Sequence, residues 1–177
     1  MGFLGHYLVQ QLAKTRSQVL VPFGGSEDSH RHLKLMGDLG QIVPMKYNPR
    51  DEDSIKAVIA KANVVINLIG RDNETRNFSF EEVNHSMVQQ LATISKEHGV
   101  IMRFIQVSCL GASSSSPSRF LRTKAAAEEA VLSELLEVAQ VQGFQQVVVE
   151  SDSLKVIAVL NGTYADSSTL GMIAEDV

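Results

Sequence analysis

The sequence has no tryptophan, a single cysteine and only four prolines, and aromatic residues make up 6% of it. One cysteine, Cys109, excludes an internal disulfide framework and suits a reducing compartment. No apolar run is long enough to span a bilayer. The first residues show neither a secretory signal nor the arginine-rich pattern of a transit peptide. These absences favour a globular protein built around an ordinary hydrophobic core.

The length and the apolar content are sufficient for the hydrophobic core of one domain of ordinary size. The 177 residues are 44% apolar and 20% charged, and the net charge is −4. A net negative charge argues against a broad surface that binds the phosphates of nucleic acids. From residue 128 onward, nine acidic residues stand against one lysine. Either the composition changes at that point, or a helix presents an acidic face to solvent.

Strand-like and helix-like patterns alternate along the chain. Five runs have the β-branched content of buried strands, at residues 18–23, 41–47, 62–70, 102–111 and 144–150. The third, ANVVINLIG, scarcely alternates between apolar and polar residues, which favours a strand covered on both faces of a parallel sheet. Helical patterns occupy residues 4–14, 52–62, 80–99 and 118–143. The sequence therefore predicts an α/β fold.

The chain opens MGFLGHYLVQQL, with Gly2 and Gly5 leading into a helical pattern. Glycines so placed allow a backbone to approach the pyrophosphate of a dinucleotide and a helix to pack on a sheet. The complete pattern needs a buried strand in front of it, and only Met1 precedes Gly2. Either the glycines are incidental or the chain begins within the motif.

Other candidate residues follow the predicted strands. In doubly wound sheets a ligand binds beyond the carboxyl ends of the strands. Gly70 and Arg71 follow the third predicted strand, and Ser108 and Gly111 follow the fourth. The glycines would let a ligand approach the backbone, and Arg71 could meet a phosphate. Turn geometry and solvation explain the same residues without a ligand, so both interpretations stay open.

Four separated segments resemble an atypical short-chain dehydrogenase/reductase. They are, in chain order, GFLGHYLVQQL, NVVINLIGR, FEEVNHSMVQQLA and RFIQVSCLGASSSSPSRFLRTKAAAEEAV. Within that family they are similar to the plant form of the Rossmann-fold accessory subunits of mitochondrial complex I. The resemblance covers residues 1 to about 135. It implies a non-catalytic nucleotide-binding or structural role, complex I subunits as partners, and a location on the matrix side of the mitochondrial inner membrane.

The resemblance also assigns cofactor-binding roles to individual residues. The implied set is Gly2, Gly5, Asp51, Leu68, Ile69, Gly70, Ser108 and Lys124. Asn84 matches a helix asparagine of the wider superfamily. The segment that distinguishes NAD from NADP falls at residues 24–26, where neither an acidic residue nor an arginine stands. Because half of the glycine-rich turn is missing, we expect NAD(P) to bind weakly.

The resemblance further indicates that hydride chemistry is lost. The catalytic pair of the family is Tyr-x-x-x-Lys, in which the lysine lowers the pKa of the tyrosine so that the phenol can transfer a proton. Here Lys124 is present, but Phe120 occupies the tyrosine position. A phenyl ring has no proton to transfer. Ser108 and Lys124 would then be vestigial, and we expect no reductase activity.

The fold that the resemblance implies is an incomplete Rossmann-type parallel sheet without its first strand. That strand is central in the doubly wound order, so its loss leaves two neighbours with unpaired backbone groups. Three outcomes are open. The two strands close up, the fragment is poorly ordered, or residues 144–150 fill the gap.

The last part of the chain resembles a plant ribonuclease H-like domain, most clearly in VVVESDS and the helical pattern after it. We therefore divide the chain into a truncated Rossmann-like domain at 1–135 and a ribonuclease H-like strand–helix fragment at 136–177. The alternative function is an RNA–DNA hybrid ribonuclease that binds nucleic acid, with Mg²⁺ held by Glu128 and Asp152. The other carboxylates are missing, so this alternative predicts an inactive protein. Asp152 or Ser151 would then merely cap a helix.

Overall fold

A computed structural model of the chain describes residues 2–99, 101–141, 146–148 and 171–173. The elements are α1 (Phe3–Lys14), β1 (Val19–Phe23), β2 (Ile42–Lys46), α2 (Glu52–Ile59), β3 (Val64–Asn67), α3 (Met87–His98), β4 (Arg103–Gln106), α4 (Arg119–Val141), β5 (Gln146–Val148) and β6 (Gly171–Ile173). A 3-10 helix (Glu27–Met36) precedes β2, and a π-helical turn (Glu82–Ser86) leads into α3. The predicted α/β class is confirmed. None of the described helices has the length and apolar content needed to cross a bilayer.

The chain divides into two compact units. Unit 1 consists of Met1–Leu68 and Glu97–Ile105, and unit 2 consists of Ile69–Lys96 and Gln106–Val177. The strands β1, β2 and β3 belong to unit 1, and α4 belongs to unit 2. The division that the sequence placed at residue 135 falls inside α4 and stays a prediction.

The described strands form three separate two-stranded sheets, β1–β2, β3–β4 and β5–β6. In the first sheet the strands are parallel, with Val19 opposite Ile42. The third is also parallel, and β5 pairs with β6 there. Of the three open outcomes, filling of a central strand's place by residues 144–150 gains no support, because the described part of that segment, β5, pairs with β6. Among the described strands, β1–β2 and β3–β4 remain separate sheets, so they do not close up into one.

The core of unit 1 lies where α1 packs on β1. The buried members of this cluster are Val9, Ala13, Val19, Val21, Leu33 and Ile42. Val9 and Ala13 are four residues apart, so they share one face of α1. Val19 and Val21 are two apart and share one face of β1. The apolar face of α1 and the apolar face of β1 therefore pack together in one hydrophobic layer.

In unit 2, α3 and α4 are joined by charged and polar contacts. Lys96 Nζ lies 3.1 Å from Glu134 Oε2 and 2.7 Å from Glu137 Oε2. Thr93 Oγ1 donates a hydrogen bond of 3.1 Å to Glu134 Oε1. Apolar residues of both helices are also buried. Val88 on α3 and Ala127 on α4 are 0% exposed. These contacts fix α4, the helix that carries Phe120 and Lys124.

Candidate functional site

Asn84 holds the loop that follows β3. It lies in the π-helical turn and is 0% exposed. Its Oδ1 accepts a 2.9 Å hydrogen bond from the Arg71 backbone N–H, and its Nδ2 donates a 3.0 Å bond to the Arg71 carbonyl. Nδ2 also lies 3.5 Å from Thr123 Oγ1 on α4. Because π-helical turns occur frequently at functional sites, this clamp marks the loop at Gly70 and Arg71 as the first part of a candidate site.

Lys124 lies against Gly70. Lys124 is only 7% exposed, and its Nζ is 2.7 Å from the point where a Cβ on Gly70 would lie. Asn84 Oδ1 is 3.6 Å from the same point. A side chain at residue 70 would make the lysine amine shift, so glycine at this position allows the close approach of Lys124.

The protonation of Lys124 is set by two opposing effects. Burial lowers the pKa of Lys124, because removing water from around an ammonium disfavours its charged form. Electrostatic interactions with Cys109 and Glu128 act in the other direction and raise it. Burial is the larger effect, so the pKa of Lys124 is below its usual value.

Ser108 contributes a buried hydroxyl after β4. Its Oγ has no hydrogen-bond partner among the described residues. A buried hydroxyl left unpaired costs about 1–3 kcal/mol. Such a group is suited to a hydrogen bond with a bound molecule, and the adjacent Cys109 acts electrostatically on Lys124.

Phe120 stands one helical turn before Lys124 on α4. Its ring packs edge-on against Phe80, with the centroids 5.8 Å apart. Its carbonyl accepts a 2.8 Å hydrogen bond from Thr123 Oγ1. The ring therefore occupies an apolar position and supplies no proton donor beside the lysine.

Arg71, a candidate phosphate ligand from the sequence, is engaged within its own loop. Its Nη1 donates to Thr75 Oγ1 at 3.3 Å, and its guanidinium carbon lies 5.2 Å from the centroid of the Phe78 ring. Glu74 closes the same loop by accepting the Phe80 N–H at 3.1 Å. The side chain of Arg71 thus stabilises the loop that the Asn84 clamp holds.

Most of the remaining cofactor-binding candidates lie in unit 1. Gly2 precedes α1, and a Cβ there would meet nothing within 4 Å. Gly5 is buried within α1. Asp51 precedes α2, is exposed, and makes no side-chain capping bond. Leu68 is half-buried at the end of unit 1. Ile69 belongs to unit 2 with Gly70, and the roles of all these residues stay predictions.

The metal site of the ribonuclease alternative is not found in the described part of the chain. Glu128 is half-buried on α4, and Asp152 lies outside the described residues. Among residues 2–99, 101–141, 146–148 and 171–173, no group of three or more His, Cys, Asp or Glu is placed to hold a metal ion. Glu128 instead acts electrostatically on Lys124.

Sequence reasoning missed two buried polar residues, one in each unit. Thr123 is 8% exposed and contacts Asn84. Asn67, at the end of β3, is 2% exposed. The available signal for Asn67 was a polar residue with apolar neighbours on both sides in the run ANVVINLIG, because a buried amide needs hydrogen-bond partners.

Comparison with known proteins places the chain in a family. A family model described as NAD(P)H-binding matches residues 1–172. The chain belongs to this NAD(P)H-binding family. The match includes the segments that hold Gly70, Asn84 and Lys124.

Two curated relatives of this NAD(P)H-binding chain carry the same name. NADH dehydrogenase [ubiquinone] 1 alpha subcomplex subunit 9, mitochondrial, of Arabidopsis thaliana is 79% identical over 136 residues, which cover 77% of this chain and 34% of that protein. The protein of the same name from Mus musculus is 49% identical over 132 residues, covering 75% and 35%. The chain thus spans about a third of the length of these relatives.

A solved structure supports the fold of the NAD(P)H-binding family. UDP-glucuronic acid 4-epimerase from Bacillus cereus, solved in complex with NAD, gives a TM-score of 0.60 at 17% identity, covering 84% of this chain and 52% of that one. The predicted Rossmann-type α/β fold is confirmed. The ribonuclease H-like character predicted for residues 136–177 gains no support from these comparisons.

Proposed function

We propose that the chain is the nucleotide-binding part of a mitochondrial complex I accessory subunit, and that it binds a dinucleotide without transferring hydride. One observation carries this proposal. Lys124 is retained against Gly70 while Phe120, one helical turn away, occupies the position where proton transfer would need a hydroxyl. The site has an amine that can bind a dinucleotide and lacks the hydroxyl that would transfer a proton.

The residues of unit 2 fit part of a bound dinucleotide. Gly70 leaves its backbone open to a ligand, and Lys124 offers an amine for hydrogen bonds to ribose hydroxyls. The buried Oγ of Ser108, which has no partner among the described residues, offers a further hydrogen bond. A bound dinucleotide supplies hydride chemistry in general. In this chain, Lys124 and Ser108 would bind and orient it, and Phe120 would move no proton.

The partner and location follow from the relatives. Their name places them in mitochondrial NADH dehydrogenase, that is, complex I. At 79% identity over 136 residues, surfaces as well as cores are largely shared. We propose that the chain assembles with complex I subunits in the mitochondrion, on the matrix side of the inner membrane.

Binding of the dinucleotide is expected to be weak. Residues 24–26, the segment that the resemblance assigns to the ribose of the dinucleotide, contain neither an acidic residue nor an arginine, so contacts that would strengthen binding there are missing. We expect NADH and NADPH to bind with dissociation constants weaker than about 1 μM, which corresponds to about −8 kcal/mol. Isothermal titration calorimetry of the purified chain measures both values.

Two variants make this titration specific. Lys124→Ala should weaken binding about tenfold, because a hydrogen bond to a charged group contributes roughly 1.5–3 kcal/mol. Lys56→Ala removes a lysine of unit 1 that pairs with Glu52 and should leave the affinity unchanged. A dissociation constant of about 1 μM or tighter, or equal losses in both variants, would contradict the proposal.

A further inference from the structure

A cavity of about 330 Å³ lies in unit 2, where the first turns of α4 meet the serine-rich loop before it and the residue that precedes the π-helical turn. Its lining residues are Glu81, Ser114, Arg119, Arg122, Thr123, Ala126 and Glu129. Four of them are exposed, whereas Thr123 is 8% exposed. The cavity is therefore open to solvent and ends at a buried residue. Its volume is at the lower end of the range of ligand cavities, about 300–1,000 Å³, which suits a molecule smaller than a dinucleotide.

This cavity is separate from the Lys124 site. Arg122, Ala126 and Glu129 are spaced four and three residues apart, so they share one face of α4. Lys124 stands midway between Arg122 and Ala126 in the sequence. Two residues correspond to about 200° around a helix of about 3.6 residues per turn. Lys124 therefore lies on the opposite face of α4, and a ligand in the cavity does not depend on dinucleotide binding.

Two charged side chains of the cavity already have partners. Arg119 Nη1 lies 3.0 Å from Glu74 Oε2, and Glu81 Oε1 lies 2.6 Å from His85 Nδ1. These two contacts engage one arginine and one glutamate of the lining. The remaining charged residues of the lining are one cation and one anion, Arg122 and Glu129.

Arg122 and Glu129 are not neutralised within the part of the chain that the structure describes. Arg122 Nη1 donates hydrogen bonds to the Ser116 carbonyl at 2.8 Å and to the Pro117 carbonyl at 3.0 Å. These uncharged groups hold the guanidinium at the start of α4, and no carboxylate of the described residues pairs with it. Glu129 is exposed and makes no hydrogen bond or ion pair within the same residues. The cavity thus presents one positive and one negative group to a ligand.

We propose that this cavity binds a small ω-amino acid, a zwitterion with its carboxylate and its ammonium at opposite ends of a short aliphatic chain. Arg122 binds the carboxylate, because its guanidinium has N–H groups beyond those that the loop carbonyls accept. Glu129 binds the ammonium. The two residues are seven apart, which is about 10.5 Å along the helix axis, so the two charges of the ligand must be well separated. Ala126 lies between them on the same face and leaves room for the aliphatic chain.

Titration of the intact, isotope-labelled chain with ε-aminocaproate, followed by nuclear magnetic resonance, tests this proposal. We expect the amide signals of residues around the cavity to shift, with a dissociation constant of about 1 mM, because solvent-exposed charges bind weakly. Caproate carries the carboxylate alone and hexylamine the ammonium alone, so each should bind at least about tenfold more weakly. Absence of saturation at about 20 mM ε-aminocaproate, or equal binding of caproate, would overturn the proposal.

Two variants and a matched control make this titration specific. Glu129→Gln removes the negative charge and keeps the shape of the side chain, so the affinity for ε-aminocaproate should fall about fivefold. Ala126→Leu fills the cavity without changing its charge and should abolish binding. Glu137→Gln should keep the affinity, because Glu137 is on the same helix, pairs with Lys96 and is not a lining residue. Unchanged affinity in Glu129→Gln, or an equal loss in Glu137→Gln, would overturn the proposal even if Ala126→Leu does not fold.

Discussion

Replacing Asn84 with alanine is expected to lower the free energy of unfolding by about 2–4 kcal/mol. The substitution leaves the backbone N–H and carbonyl of Arg71 without the two bonds of 2.9 and 3.0 Å that Asn84 now makes. It also opens a cavity at a residue that is 0% exposed. Both effects fall on the loop that carries Gly70.

Urea unfolding followed by circular dichroism measures this loss. The matched control is Asn73→Ala, because Asn73 is exposed in the same loop and should change stability by less than about 0.5 kcal/mol. Similar small losses at residues 84 and 73 would show that the clamp does not hold the loop.

Replacing Lys124 with methionine is expected to stabilise the chain by about 1 kcal/mol near pH 7 while weakening dinucleotide binding. Burial lowers the pKa of Lys124 in the folded chain below its usual value of 10.5. Between the lowered and the usual pKa, the unfolded chain binds more protons than the folded chain. The stability of the unaltered chain therefore rises as pH rises through that window, and the cost of the buried charge is greatest below it.

Unfolding in urea at several pH values between neutrality and 10.5 measures this dependence. The Lys124→Met variant should lack the rise contributed by Lys124, because methionine does not titrate. Lys56→Met is the control. The pKa of Lys56 is raised by its hydrogen bond to Glu52, and the substitution removes that interaction. The control should not stabilise the chain. A destabilised Lys124→Met variant would mean that the attraction of Cys109 and Glu128 outweighs the effect of burial.

The order of strands and helices could be predicted because it depends on local periodicity. All five predicted strands and all four predicted helical regions contain an observed element. Burial was harder to predict. ANVVINLIG indicates a strand covered on both faces, yet Val64 is 39% exposed in β3. Coverage depends on neighbouring strands, and β3 pairs with β4 in a sheet of two.

Two regions lacked a local signal. The 3-10 helix Glu27–Met36 is rich in charged residues and histidine, so it has few apolar residues that would indicate a helix in the sequence. The strand β6 pairs with β5 across more than twenty residues, a contact that no local pattern reveals.

The sequence indicated several residues of the candidate site but not the contacts that these residues make. Gly70, Asn84 and Lys124 could be picked out from the resemblance to short-chain dehydrogenases/reductases, and the structure brings them together. The engagement of Arg71 with Phe78 and the contact of Thr123 with Asn84 depend on how α4 packs beside the loop. Such contacts join distant parts of the chain, so spacing alone does not predict them.

The central claim is that this site binds without reacting, because Phe120 stands where a proton donor is needed. The most direct test is NADPH oxidation, followed by absorbance, with a panel of aldehydes and ketones and with Lys124→Ala as the background. The account predicts that the unaltered chain oxidises NADPH no faster than this variant. Turnover by the unaltered chain that disappears in Lys124→Ala would contradict it.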